Sequence, residues 1–233
     1  KQHGPPDEPG PELLDRILAE RRRQWEERTQ AKYEKAGKQP PRGWRDRYPE
    51  PSPPKPPADG SALPTLPEGW CWAGAAQLCW GVENGNTPPP EQMFSGSGDV
   101  PFIKVYNLTK RGALDFSVKP TFVSNETHRN LLKRSVVRPG DVLMNIVGPP
   151  LGKVSLVPGD YSEWNINQAI VAYHCLDGFN HDYLVACLLC DTILRPVTEV
   201  AKASAGQFNI SVSMCRELKV PLPPLAEQTA IVE

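Results

Sequence analysis

The sequence has little that marks a membrane protein, a metal centre or a strongly charged binder. Its longest apolar run, Tyr183–Cys190, is eight residues, whereas a spanning helix needs roughly 20. Lys1–Pro11 is polar, and no apolar core of the secretory kind follows it. We therefore expect a soluble, cytoplasmic chain with no membrane association and with its six cysteines reduced. The one pair with metal-type spacing, Cys187-x-x-Cys190, lies in HDYLVACLLCDTIL. That stretch reads as an apolar helix, and no second pair stands nearby to complete a tetrahedral site, so buried thiols are expected, with no metal and no cofactor. The four histidines (His3, His128, His174, His181) have no evident Ser, Cys or metal partner. Lys and Arg number 26 against 27 Asp and Glu, which removes the simplest polycation reading of a nucleic-acid binder.

Proline is abundant and unevenly spread: ten of the 27 prolines lie between Gly37 and Pro67. Such a stretch favours extended polyproline conformation over a packed core and reads as a semi-rigid linker. Before it, Pro11 opens a helix to about Ala36, with Glu12/Arg16, Arg22/Glu26 and Arg23/Glu27 at helical spacing. Its apolar stripe (Leu13, Leu14, Ile17, Leu18, Trp25) is short, so a solvated helix with one docking edge is expected. After the linker about 160 residues remain, enough for a proper core.

That core is organised around Val136–Ala169. Turn residues at Arg138–Asp141, Gly148–Gly152 and Pro158–Asp160 separate three β-rich runs: Val142–Val147, Lys153–Val157 and Trp164–Val171. Further strands are expected at Val100–Leu108, Val118–Val123 and Leu218–Leu222, with helices at Asn125–Arg134 (N-capped by Ser124), His181–Leu194 and from Leu225 onward. Gly81–Pro90 reads as a Gly/Asn/Pro loop. The fold class is α+β: a β-rich domain with few helices, preceded by a helix and a Pro-rich linker. The expected segments are 1–36 (helix), 37–65 (linker), 66–222 (globular domain) and 223–233 (the start of a helix).

Charge is locally asymmetric. Residues 101–138 hold eight Lys/Arg against two acids, a net +6, and residues 139–200 hold two against seven, a net −5. A basic face on a neutral domain suits phosphate contact.

LPEGWCW (66–72), PFIKVYNL (101–108), RPGDVLMNIVGPPLGKVSLV (138–157), NINQAI (165–170) and PLPPLAEQTAIV (221–232) occur in this order. Together they resemble a target-recognition domain of the specificity subunit of type I restriction–modification enzymes, and the second such domain in particular. ELLDRILAERRRQWEE resembles the tail of that family's central helical spacer. The resemblance covers about 66–233. It implies a non-catalytic subunit that recognises one half of a bipartite double-stranded DNA target. The implied protein partners are the DNA methyltransferase (modification) subunits and the restriction subunit, a translocase and nuclease.

Carboxamides read adenine and Arg or Lys read guanine in the major groove. The residues expected to contact DNA are therefore Lys104, Tyr106, Asn107, Lys110 and Arg111, then Asn145, Lys153, Asn165, Asn167 and Gln168, then Gln207 and Asn209. Lys133 and Arg134 are expected on phosphates, which position without specifying, and the helix start at Ser124 as a further phosphate seat. For Asn165 and Asn167 a satisfied structural amide is the competing reading, because a segment shared by a family cannot encode targets that differ among its members. Catalysis lacks its parts. Gly148-Pro149-Pro150-Leu151 has neither the polar residue nor the aromatic of a methyltransferase motif, and Asp141 and Lys153 are too isolated for a nuclease. The alternative is a protein-interaction module that uses the helical ends and the Pro-rich linker without reading DNA.

Overall fold

The structure is a computed structural model describing residues 8–56, 62–203 and 208–233. The long helix α1 spans Gly10–Lys35. Strand β1 (Cys71–Gly74), helix α2 (Ala75–Leu78) and strand β2 (Cys79–Asn84) open the globular part. They are followed by β3 (Phe94–Ser95), β4 (Val100–Ile103), β5 (Thr121–Val123), α3 (Asn125–Asn130), β6 (Val136–Val137), β7 (Val142–Asn145), β8 (Val154–Leu156), β9 (Trp164–Ile166) and β10 (Ile170–Cys175). The chain closes with α4 (His181–Leu189), α5 (Asp191–Ala203), α6 (Val212–Arg216), β11 (Lys219–Leu222) and α7 (Leu225–Val232). This is the α+β class that the sequence indicates.

The strands form three sheets: β1-β11, β2-β10-β7-β8 and β3-β5-β4-β9-β6. All pairs are antiparallel except β4 with β9. The two larger sheets share a hydrophobic boundary because β7 and β10 are buried on both faces. Val142, Met144, Val171 and Tyr173 join the core that also holds Leu13, Ile17, Leu184 and Leu188. Leu143, Ile170 and Ala172 point the other way, into a core with Ile103, Trp164 and Ile166. Alternation of side chains along a strand sorts them between two cores, so these strands read as continuous apolar runs.

Several elements end earlier than expected, each for a local reason. The expected strand Val100–Leu108 stops at Ile103, because Asn107 Oδ1 accepts from the Lys104 backbone N–H (2.9 Å) and tightens Val105–Asn107 into a 3-10 turn. Val118–Val123 shortens to Thr121–Val123, since Lys119 takes a left-handed φ of 48°. The run Trp164–Val171 divides at Asn167–Ala169 into β9 and β10, which belong to different sheets. The expected helix His181–Leu194 breaks at Cys190, whose backbone is extended, and α6 forms where no element was expected, with Ser211 Oγ capping Met214 N.

The N-terminal segments are packed rather than free. Leu13 and Ile17 are fully buried. Arg21 Nε donates to Cys79 O (3.0 Å), and the Arg28 guanidinium lies 3.9 Å from the Trp80 ring centroid. The Pro-rich segment folds back along α1: Trp44 and Tyr48 sit at 5.6 and 5.4 Å from Trp25, and Lys55 pairs with Glu217 at 3.2 Å. Over its described residues the segment is thus a strap across α1, because its aromatics and Arg21 supply contacts that the prolines alone do not.

Candidate nucleic-acid interface

The basic hairpin Thr109–Ala113 is stitched to the edge of β8. Val154 N donates to Thr109 O (3.0 Å), Leu156 N to Gly112 O (2.8 Å) and Thr109 N to Ser155 Oγ (3.2 Å). Gly112 has φ +81°, and a Cβ there would stand 2.8 Å from Val185 Cγ1, so the hairpin lies closer to α4 than a side chain permits. Lys110 and Arg111 project from its tip, exposed. Asn107 does not project. It is fully buried, and its Nδ2 donates to Asp115 O (3.0 Å) and Val118 O (2.8 Å). It is the internal brace of the loop, and its amide is spent before any base could approach. Tyr106 is 38% exposed, with its hydroxyl donating to Lys119 O at 3.2 Å.

Asn145 is a second brace. It too is fully buried. Its Nδ2 donates to Val147 O (3.1 Å) and Pro150 O (2.7 Å), while its Oδ1 accepts from Lys153 N (2.6 Å). These three bonds shape the β7–β8 turn and keep Asn145 from DNA. The half-buried Lys153 reaches Val105 O with its Nζ (3.4 Å), which brings it beside the Lys104 loop. Exposed Asn209 bridges to Val147 in the same turn. Gln207 lies outside the described residues.

The β9–β10 corner supplies the third part. Asn165 is fully buried, with Nδ2 donating to Leu132 O (3.1 Å) and Oδ1 lying 2.8 Å from His128 Nδ1, so it is structural. Asn167 is only half buried. Its backbone N–H donates to Ile103 O (3.1 Å), and its buried Oδ1 has no hydrogen-bond partner among the described residues. Gln168 is exposed. The loop after β2 presses on this corner: a Cβ at Gly85 would lie 2.1 Å from Ile166 O. Asn86 ties that loop on, its N–H to Ile166 O (3.2 Å) and its Nδ2 to Leu131 O (3.4 Å). Exposed Lys133 and Arg134 follow Leu131 after the buried Leu132.

These bonds connect the surface in sequence: Arg111 and Lys110 on β8, Lys153 through Val105 to Lys104, Ile103 to Asn167 and Gln168, and Asn86 to the Leu131–Arg134 turn. Among the described residues none of Lys104, Lys110, Arg111, Lys133, Arg134 and Lys153 pairs with a carboxylate. Two acids of the −5 stretch are engaged elsewhere. Asp141 accepts from Arg138 N (2.8 Å) and meets His174 Nδ1 (2.9 Å), and Glu163 takes His128 and Arg138. The helix start at Ser124 is not an anion seat: Asp99 Oδ2 already accepts from Asn125 N (2.9 Å), and Ser124 Oγ from Thr127 N (3.1 Å).

Four residues that the sequence reading passed over stand next to this surface. Glu83, Asn84, Asn86 and Arg216 line a cleft of about 400 Å³ together with Leu131 and Arg134. The asparagines of GVENGN were the available signal. Arg216 gave none, since only folding brings it to β2, where its Nε donates to Val82 O (3.1 Å).

Turns on a β scaffold that carry exposed cations with no carboxylate partner among the described residues suit contact with an anionic polymer. Residues 77–233 match the type I restriction modification DNA specificity domain, and the chain belongs to that family. No curated protein matches the chain. Among solved structures, a chain from work on complex assembly and conformational transition of the type I R-M system is 24% identical with a TM-score of 0.55, over 76% of this chain and 39% of that one. The HsdS subunit from Thermoanaerobacter tengcongensis is 22% identical with a TM-score of 0.53, over 76% of this chain and 38% of that one. At these identities the likeness establishes the fold. The chain spans under two fifths of the length of these structures.

Proposed function

We propose that this chain reads one half of a bipartite duplex DNA target as part of a type I specificity subunit. It performs no chemistry itself and directs methyltransferase and restriction subunits in the cytoplasm. The observation that carries the reading is the continuous run of unpaired cations and amide-bearing turns from Arg111 to Arg134, in a chain of the DNA specificity family. In this reading Lys104, Tyr106, Lys110, Arg111, Lys153, Gln168 and Asn209 face the grooves, with Asn167 at the corner, and Gln207 is a further DNA contact. Lys133 and Arg134 hold phosphates. Asn107, Asn145 and Asn165 hold the turns in place. Residues 66–222 form the reader, 1–36 correspond to the tail of a helical spacer with 37–65 as a Pro-rich linker, and 223–233 begin the next spacer helix. The test is selection from random duplexes at moderate salt followed by sequencing. Enrichment of one short motif is expected. Binding with no enriched motif would reduce the surface to a phosphate binder, and absence of binding even at low salt would leave a protein-interaction module.

A further inference from the structure

The cleft beside the interface combines charges that a simple phosphate site would not. Arg134 and Arg216 come from separate elements, the turn after α3 and the end of α6, and line the same space of about 400 Å³. Among the described residues neither is in an ion pair. Arg216 is held by one donor, Nε to Val82 O, which leaves its other N–H groups for a ligand. Two unpaired guanidiniums in one cleft suit a phosphodiester, whose oxygens accept forked hydrogen bonds.

Glu83 lines this cleft as well. A carboxylate repels phosphate, so a site serving an anion alone would do better without it. It becomes useful when the ligand also offers an amino group. Among base edges the favoured donor to a carboxylate is N4 of cytosine. Glu83 and its neighbour Asn84 stand at the end of β2 with their backbone fixed by pairing to Ala172 and Val171, so their side chains start from a rigid element. The volume is within the range of sites for small ligands.

We propose that this cleft seats one nucleotide of the target strand, with Arg134 and Arg216 gripping its phosphate and Glu83 accepting from the amino group of its base, cytosine by preference. This rests on the DNA-reading function proposed above and adds Glu83 to it as a specificity-determining residue and Arg216 as a phosphate contact.

The experiment compares the motif selected from random duplexes by the wild-type chain, by Glu83→Gln, and by the double variant Arg134→Gln/Arg216→Gln, each with the salt dependence of binding to the wild-type motif. Glu83→Gln is expected to lose about tenfold of the preference for cytosine at one position and to keep the remaining positions. The double variant is expected to keep the motif while the slope of log affinity against log salt falls by about one, the share of one phosphate. Arg134→Gln alone, at a side chain that makes no hydrogen bond among the described residues, serves if the double variant is poorly folded, with a smaller fall in slope expected because Arg216 remains on the phosphate. An unchanged motif in Glu83→Gln, with uniformly tighter binding to all duplexes, would show that the carboxylate only repels and would overturn the proposal. An unchanged salt slope in the arginine variants would overturn it equally. A wild-type chain that selects no motif would instead remove the underlying reading, and this inference with it.

Discussion

His128 Nδ1 lies 2.8 Å from Asn165 Oδ1, and its Nε2 lies 3.1 Å from Glu163 Oε2. Both ring nitrogens are thus engaged, one by each partner. Asn165 is oriented by its own donation to Leu132 O, and His128 and Asn165 are both buried. The pair fastens α3 to β9. It therefore holds the turn that carries Lys133 and Arg134 against the β9–β10 corner.

Replacing Asn165 with Ala would leave the His128 ring nitrogen and the Leu132 carbonyl without their partner. A buried polar group stripped of its partner costs about 1–3 kcal/mol. Urea unfolding of Asn165→Ala should show a loss in that range with an unchanged slope. If Asn165 instead projected to DNA, stability would be indifferent to the change and only binding would suffer.

Glu163 closes the same chain of contacts. Its partial burial alone would raise its carboxyl, but hydrogen bonding to His128 and the charge and hydrogen bond of Arg138 outweigh this and hold it below the usual carboxylate range. A carboxylate whose folded value lies below its unfolded value binds protons more weakly when folded. It therefore stabilises the fold above the unfolded value, about 4.3, and this is lost as pH falls through the folded value. The difference in urea midpoint between wild type and Glu163→Gln should be full at neutral pH and shrink below about pH 4. A difference that stays constant through that window would mean that Glu163 gains nothing from its neighbours.

The docked helix makes a sharper contrast. Ile17 is fully buried against the main core, whereas the charged pairs of Arg23 are exposed. Ile17→Ala should cost about 2–5 kcal/mol, as large-to-small changes in a core do. Arg23→Ala should cost less than about 1 kcal/mol, since exposed ion pairs contribute little. Thermal unfolding of the two variants checks this. Equal and small losses would mean that α1 is dispensable to the fold.

The helix α1 was legible from its charge spacing and Pro11, and the central strands from the turns around them, because these signals are local. The division of Trp164–Val171 between two sheets was not. Every residue of β9 and the first residues of β10 are buried, so their pattern shows no face to reveal where the chain leaves one sheet for the next. The exposure of four of the expected cations was legible in the same degree. Lys110, Arg111, Lys133 and Arg134 stand in polar turns and remain on the surface. Asn107 and Asn145 were expected to project and are buried instead, and Asn165 takes the structural alternative weighed for it, because an amide that reads a base and one that braces a turn are the same residue type in the same kind of loop. Only their partners separate them, and those partners lie 11, 5 and 33 residues away along the chain in the bonds to Val118, Pro150 and Leu132.

The basic hairpin depends on one residue without a side chain. Gly112 takes a left-handed φ of +81°, and an added Cβ would stand 2.8 Å from Val185 Cγ1, closer than carbon atoms approach. An alanine there meets both obstacles at once: a backbone conformation that costs an L residue about 1–2 kcal/mol and a contact that must be relieved. Val185 is buried on α4, so the hairpin is the part that moves. Its movement would stretch the bonds of Thr109 and Gly112 to β8 and carry Lys110 and Arg111 away from the line of Lys153 and Lys104. Gly112→Ala should thus lower stability by about 1–2 kcal/mol and weaken binding to duplex DNA more than the loss of either cation alone. The check is the salt dependence of duplex binding by Gly112→Ala beside that by Lys110→Ala and Arg111→Ala. If Gly112→Ala binds as tightly as wild type at every salt concentration, the position of this hairpin has no part in DNA contact.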